Sequence, residues 1–169
     1  MRAILRGVVR LALLIAMIGC GGTGPVPIAH DGSVTCAVCR MPVDDRRFAS
    51  QVVTRTGKAI NFDSIECLAR YMATAPADAN VRGVWVPDFD RPGEMLDART
   101  AQYLQTRRIN SPMGQGLIAV TPSRGADTAF VRELEGRVLD WPAVLQMAQV
   151  DPSVGTGLPR THEHGVLAP

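Results

Sequence analysis

The sequence predicts an α+β domain built from two ββαβ-type halves with mainly antiparallel sheets, at roughly 44–90 and 98–140. Three observations predict it. Short β-branched or apolar runs are separated by turn signals. Helical patterns fall in three places, near 65–75, 126–134 and 141–150. The order strand, strand, helix, strand then occurs twice, which suits an antiparallel α+β arrangement. The halves share no visible sequence repeat, so the duplication is one of pattern.

Taken in order, Phe48–Thr54 alternates enough to read as a strand. Thr56-Gly57-Lys58 reads as a turn, and Lys58–Phe62 as the hairpin partner. Asp63 or Ser64 then caps a helix. Ile65, Leu68, Ala69 and Met72 share one face of it, and it fades at Ala75-Pro76. Val81–Val86 is a strand closed by Pro87, and Asp88–Glu94, with Pro92 and Gly93, is a loop. Ala101–Thr106 and the apolar run Leu117–Thr121 are strands flanking a glycine-rich turn, Ser111–Gly116. Ala126–Leu134 is a helix stopped by Gly136, Arg137–Asp140 a short strand, and Trp141–Val150 a last helix with Pro142 tolerated at its start.

Residues 1–19 read as an export signal. Arg2, Arg6 and Arg10 precede a short apolar core from Leu11 to Ile18, and no acid occurs before Asp31. The core is too short for a stable bilayer span. Met17-Ile18-Gly19-Cys20 resembles a bacterial lipoprotein signal, in which Cys20 is acylated and heads the mature chain. Residues 20–34, small and rich in Gly and Pro, read as a flexible tether. Residues 35–150 form the domain, and 151–169 a Pro- and Gly-rich disordered tail. The expected location is therefore periplasmic, anchored to the membrane by lipid. Removing the signal takes three of the 18 basic residues and leaves 15 against 16 acids. The basicity belongs to the signal, and nothing suggests a nucleic-acid partner.

With Cys20 used by lipid, Cys36, Cys39 and Cys67 remain, an odd number in a compartment that oxidises thiols. That count does not suit a purely structural disulfide framework. Cys36-Ala-Val-Cys39-Arg40-Met41 places two thiols and a thioether within six residues. Such soft donors select Cu(I) over hard cations. A redox CxxC usually opens a helix that lowers its thiol pKa, whereas this one leads through Pro42 into a strand. A zinc site needs a second ligand pair, and the sequence offers only Cys67 and remote histidines. Met113 lies on the glycine-rich turn, where its side chain can point outward, so Cys39, Met41 and Met113 suit a low-coordinate Cu(I) site. Cys36 is an auxiliary thiol. Cys67 reads equally as a small core residue or as a thiol facing the metal loop. His162-Glu163-His164 in the tail suits at most weak divalent-metal binding, and His30 lies in the tether. No phosphate-binding glycine loop, GxSxG or HExxH occurs, and no histidine lies inside the folded region. The chain therefore reads as a binding protein, not an enzyme.

A lipoprotein signal, CxxCxM, Phe62-Asp63 running into a Cys67-bearing helix, and Pro112-Met113-Gly114 recur in this order in one family. Over residues 17–140 the chain resembles the NosL family of nitrous oxide reductase accessory lipoproteins. The resemblance implies two ββαβ units similar to those of organomercurial lyase, and a membrane-tethered Cu(I) chaperone. Its partner would be nitrous oxide reductase or another copper-accepting exported protein. The family's Cys-Gly-Met motif becomes Cys39-Arg40-Met41, and its later methionine Met113. Arg40 departs from the usual glycine, at a position where glycine permits a backbone angle that arginine resists. Two rival readings stand beside it. One is a thiol-disulfide oxidoreductase using Cys36 and Cys39, which would not need Met41 or Met113. The other is an interaction module with a structural Cys36–Cys39 disulfide.

Overall fold

A computed structural model describes residues 24–74 and 80–150. The signal segment, Cys20, the helix end at Ala75-Pro76 and the tail with His162 and His164 lie outside the described residues.

Two antiparallel sheets carry the fold. β1 (Ser50–Thr54) and β2 (Ala59–Phe62) form the expected hairpin, with Val52 opposite Ile60. Gly57, at φ 85°, makes the turn, and its N–H donates to the Thr54 carbonyl at 3.0 Å. α1 (Ile65–Thr74) follows at once. Ser64 is its cap: the Ser64 Oγ accepts the Cys67 N–H at 3.2 Å. β3 (Val81–Pro87) returns antiparallel to β1. A further strand not expected from the sequence, β4 (Met95–Asp97), then pairs with β3 and sets the sheet order β2-β1-β3-β4. Its three residues are too few to show a period. The turn before it, closed by a 2.8 Å ion pair from Arg91 to the buried Asp88, supplies the register instead.

The second sheet repeats the arrangement. β5 (Gln102–Gln105), β6 (Leu117–Val120) and β7 (Arg137–Leu139) lie in the order β6-β5-β7. In each sheet the first strand of the unit sits between the second and the third, so the ββαβ pattern occurs twice. Between β6 and β7 a short helix the sequence did not show, α2 (Pro122–Gly125), comes first, and the helix expected over 126–134 follows separately as α3 (Thr128–Glu133). Asp127 causes the break. Its carboxylate accepts the N–H groups of Ala129 and Phe130 at 2.9 and 3.3 Å, so it starts a new helix rather than continuing the old one. The stop also differs in detail. The left-handed residue after α3 is Glu135 (φ 48°), while Gly136 is needed for space, because a Cβ there would lie 3.0 Å from Leu104. α4 (Trp141–Val150) ends the described chain, capped by Asp140, which accepts the Ala143 N–H at 2.9 Å.

All four residues of β6 are buried because the second sheet is covered on both faces. Leu104, Ile118 and Val120 meet Phe48 and Phe130 on one side. Tyr103, Leu117 and Ala119 join the main core on the other, with Phe62, Leu68, Val84 and Val144. Packing of α1 against α4 and β6, and of β3 against β6, ties the two sheets into one body. Each large apolar side chain buried there contributes about 1.5–3 kcal/mol of transfer free energy. Part of the stretch expected as a tether lies on the first sheet. The Gln51 side chain accepts the Val26 N–H at 2.7 Å and donates to its carbonyl at 3.0 Å, and Ile28 and Val34 pack against the core.

Candidate metal centre

Three elements converge on one spot. The loop Val34–Val43 is a tight hairpin, with Val43 N–H donating to Val34 O and Cys36 N–H to Met41 O, both at 2.8 Å. It is fixed to β2 by the Ala37 N–H, which donates to Asn61 O at 3.0 Å. β2 ends at Phe62, Asp63 follows, and α1 then presents Cys67 one turn in. Because Ser64 does the capping, the Asp63 side chain is left for the site.

The result is a cluster of Cys36, Cys39, Asp63 and Cys67 whose donor atoms all lie within 4.8 Å of one another. All three cysteines are free thiols. Cys36 and Cys67 are fully buried, Cys39 is half-buried, and Asp63 is 5 % exposed. The Cys39 thiol donates to Asp63 Oδ2 at 3.2 Å, while Asp63 Oδ1, also buried, has no partner among the described residues.

The protons are unequally held. Cys36 is pulled down to about 6, first by the Cys67 thiol that donates to its sulfur, against the penalty of burial and with help from the Asp63, Cys39 and Val38 N–H groups. Cys39 is pushed up to about 12, chiefly by burial and further by the Asp63 carboxylate beside it. Cys67 is pushed up because it keeps the proton it gives to Cys36, and because it is buried. Of the three thiols Cys36 therefore gives up its proton most readily, while Cys39 and Cys67 hold theirs.

The sequence-predicted residues divide accordingly. Cys36, Cys39 and Cys67 come together, with Cys67 buried and its thiol beside those of the 34–43 loop. Met41 stands on the solvent side of the loop, 53 % exposed. Met113 is half-buried and packs against the core that contains Cys36 and Cys67. Its turn is strapped to α1 next to Cys67. The Ser111 hydroxyl donates to the buried Glu66 at 2.6 Å and accepts the Gly116 N–H at 3.0 Å. Burial pushes the Glu66 carboxyl up, and the Ser111 bond offsets part of that shift. His30 lies elsewhere, near Asp45 and Arg46. Asp63 is the donor that sequence reasoning missed. The available signal is that Ser64, an equally good cap, stands next to it and leaves it spare.

Arg40 sits at φ 67°, in the left-handed region that glycine occupies freely and a side chain does not. Its N–H donates to Cys36 O at 3.1 Å, closing the loop between the two cysteines. The conformation belongs to the loop, and arginine adopts it at a cost of about 1–2 kcal/mol. Part of that returns through the smaller freedom of a non-glycine residue in the unfolded chain. Arg40→Gly is accordingly expected to stabilise the metal-free protein by about 0.5–1 kcal/mol. Thermal unfolding followed by circular dichroism would then rise by roughly 2–5 °C, whereas a fall would mean that the arginine side chain makes a stabilising contact.

The described residues form two ββαβ units that carry a thiol-rich cluster able to hold a metal ion. The chain belongs to the NosL family, whose model matches residues 27–148. Among solved structures it is similar to the copper chaperone NosL from Shewanella denitrificans, at a TM-score of 0.58 and 20 % identity, over 70 % of this chain and 96 % of that one. Among curated proteins none matches.

Proposed function

We propose that the chain is a Cu(I) metallochaperone, tethered by lipid at Cys20 to a membrane facing the periplasm. It would deliver copper to nitrous oxide reductase or another exported copper enzyme. The observation that carries this reading is the convergence of three free thiols within 4.8 Å, at the base of a loop whose rim carries an exposed thioether. Cu(I) is content with two or three soft ligands. Cys39 is the accessible thiol and the natural first and last point of contact. Cys36 and Cys67 hold the ion beneath it. Met41 on the rim receives the ion or passes it on, and Met113 offers a thioether in exchange when one of the thiols lets go. Low coordination leaves room for a client's ligand, so that transfer proceeds by exchange without free copper. Membership of the NosL family and the copper chaperone named among the similar structures support the reading.

The test is an anaerobic Cu(I) titration of the reduced full chain against a competing chelator, repeated across pH. One tight equivalent is expected. Cys36 is already ionised above about 6, while Cys39 and Cys67 keep their protons at neutral pH. Binding to all three then displaces two protons, and apparent affinity rises about 100-fold per pH unit. A tenfold rise would leave one of those two thiols unligated. No tight equivalent would remove the copper reading and return the redox or structural CxxC to first place.

A further inference from the structure

Glu66 is a costly residue to bury. It lies in the first turn of α1, one residue before Cys67, and is 3 % exposed. A carboxyl group taken out of water loses its hydration and needs partners in return. Its Oε1 accepts the Ser111 hydroxyl at 2.6 Å, and its buried Oε2 has no hydrogen-bond partner among the described residues. Ser111 is itself buried, and its oxygen accepts the Gly116 N–H at 3.0 Å. Within the turn the Gly114 N–H donates to Ser111 O at 2.8 Å. The turn that carries Met113 is thus closed on Ser111, and Ser111 is fixed to Glu66. Met113, between these bonds, is half-buried against the core that contains Cys36 and Cys67. An apolar side chain at position 66 would fill the same space without the cost of burying a carboxyl, so packing alone does not call for glutamate. What glutamate adds is direction, because a buried hydrogen bond specifies one arrangement of turn and helix.

We propose that Glu66 is a positioning residue for copper exchange: through Ser111 it holds the Met113 thioether where it takes over the ion as Cys67, its neighbour in α1, lets go. A ligand on a loop is held less precisely than one on a helix, and the bond refers the Met113 turn to the helix that carries Cys67. It governs the rate at which copper passes on and not the affinity of the filled site, whose ligands are the thiols. The inference rests on the copper reading above and adds to it the device that places Met113.

The experiment uses the reduced full chain loaded with one equivalent of Cu(I). Stopped-flow transfer to a chelator is measured beside equilibrium competition and thermal unfolding. Glu66→Leu removes the bond to the turn but leaves the Ser111 oxygen to accept the Gly116 N–H. Its transfer rate is expected to fall roughly 10-fold, the low end of what loss of a ligand's orienting partner costs. Equilibrium affinity should stay within a few-fold of wild type. Glu66→Gln keeps an oxygen for the Ser111 hydroxyl and should transfer copper like wild type. Met113→Leu should be as slow as Glu66→Leu, and combining the two should slow transfer no further, since one acts through the other. Wild-type transfer by Glu66→Leu, slow transfer by Glu66→Gln, or additive losses in the double variant would each overturn the positioning role and leave the copper reading intact. A wild-type chain that takes no tight Cu(I) would remove both. Should Glu66→Leu fail to fold, Ser111→Ala, alone and with Met113→Leu, supplies the same comparison.

Discussion

Cys39→Ser is expected to cost the chain its tight Cu(I) binding. Cys39 is the one half-buried thiol of three, so it joins the buried pair to the solvent and to Met41 on the rim. Serine keeps its size and its hydrogen bond to Asp63 but supplies a hard oxygen that Cu(I) disfavours. Loss of partners that only support a metal ligand already costs about 10–100-fold in affinity, and loss of the ligand itself should exceed that. Cys67→Ser should match it, because its sulfur belongs to the same cluster of donors within 4.8 Å of one another. Met41→Leu is different. Its side chain is exposed, so equilibrium affinity should change by less than either cysteine variant while exchange with a chelator slows. Anaerobic competition titrations and stopped-flow transfer on the same proteins separate the two effects. If Cys67→Ser bound Cu(I) like wild type, the buried thiol would be packing and not ligand.

The largest expected loss of stability comes from Gly116→Ala. Gly116 sits at φ 64°, and a Cβ there would lie 1.7 Å from the Thr106 carbonyl oxygen and 2.9 Å from that of Ile109. Both are backbone atoms and cannot turn aside. The chain would have to give up the 3.0 Å bond from Thr106 N–H to Gly116 O, and with it the start of the β5–β6 hairpin. Destabilisation of about 3 kcal/mol or more is expected, at the severe end for a single substitution, with a fall in Tm of roughly 10 °C. Gly114→Ala is the control. Its φ of 74° is equally unusual, but nothing lies within 4 Å of the added carbon. Only the conformational cost of about 1–2 kcal/mol should appear. Equal losses in the two variants would mean that the turn relaxes and that the backbone clash has no weight.

The parts of this fold that could be read from sequence are those whose signals are local. The β1–β2 hairpin announces itself through Gly57, α1 through the spacing of Ile65, Leu68 and Met72, and β6 through its unbroken apolar run. The parts that could not be read depend on partners far along the chain. β4 exists because β3 offers an edge and the Asp88 turn aims three residues at it. The helix expected over 126–134 begins only at Thr128 because Asp127, which looks like any polar helix residue, caps it instead. At the site, the CxxC and its nearby methionine were legible because six consecutive residues carry them. The placement of Cys67 against them was not, since it depends on how the β2–α1 junction packs beneath the loop. Asp63 was invisible as a donor for the same reason, and only its neighbour Ser64 hinted that it was spare. Arg40 is the reverse case. The sequence showed that arginine was an odd choice at that position, and the loop holds it in the conformation that makes it odd.

The measurement that bears most directly on the central claim is copper X-ray absorption on the reduced full chain loaded with one equivalent of Cu(I). The account predicts a three-coordinate ion bound only by sulfur, with a spectrum that loses one sulfur in Cys67→Ser and keeps all of them in Asp63→Asn. A shell rich in nitrogen or oxygen, or a sulfur count unchanged when Cys67 is replaced, would contradict it.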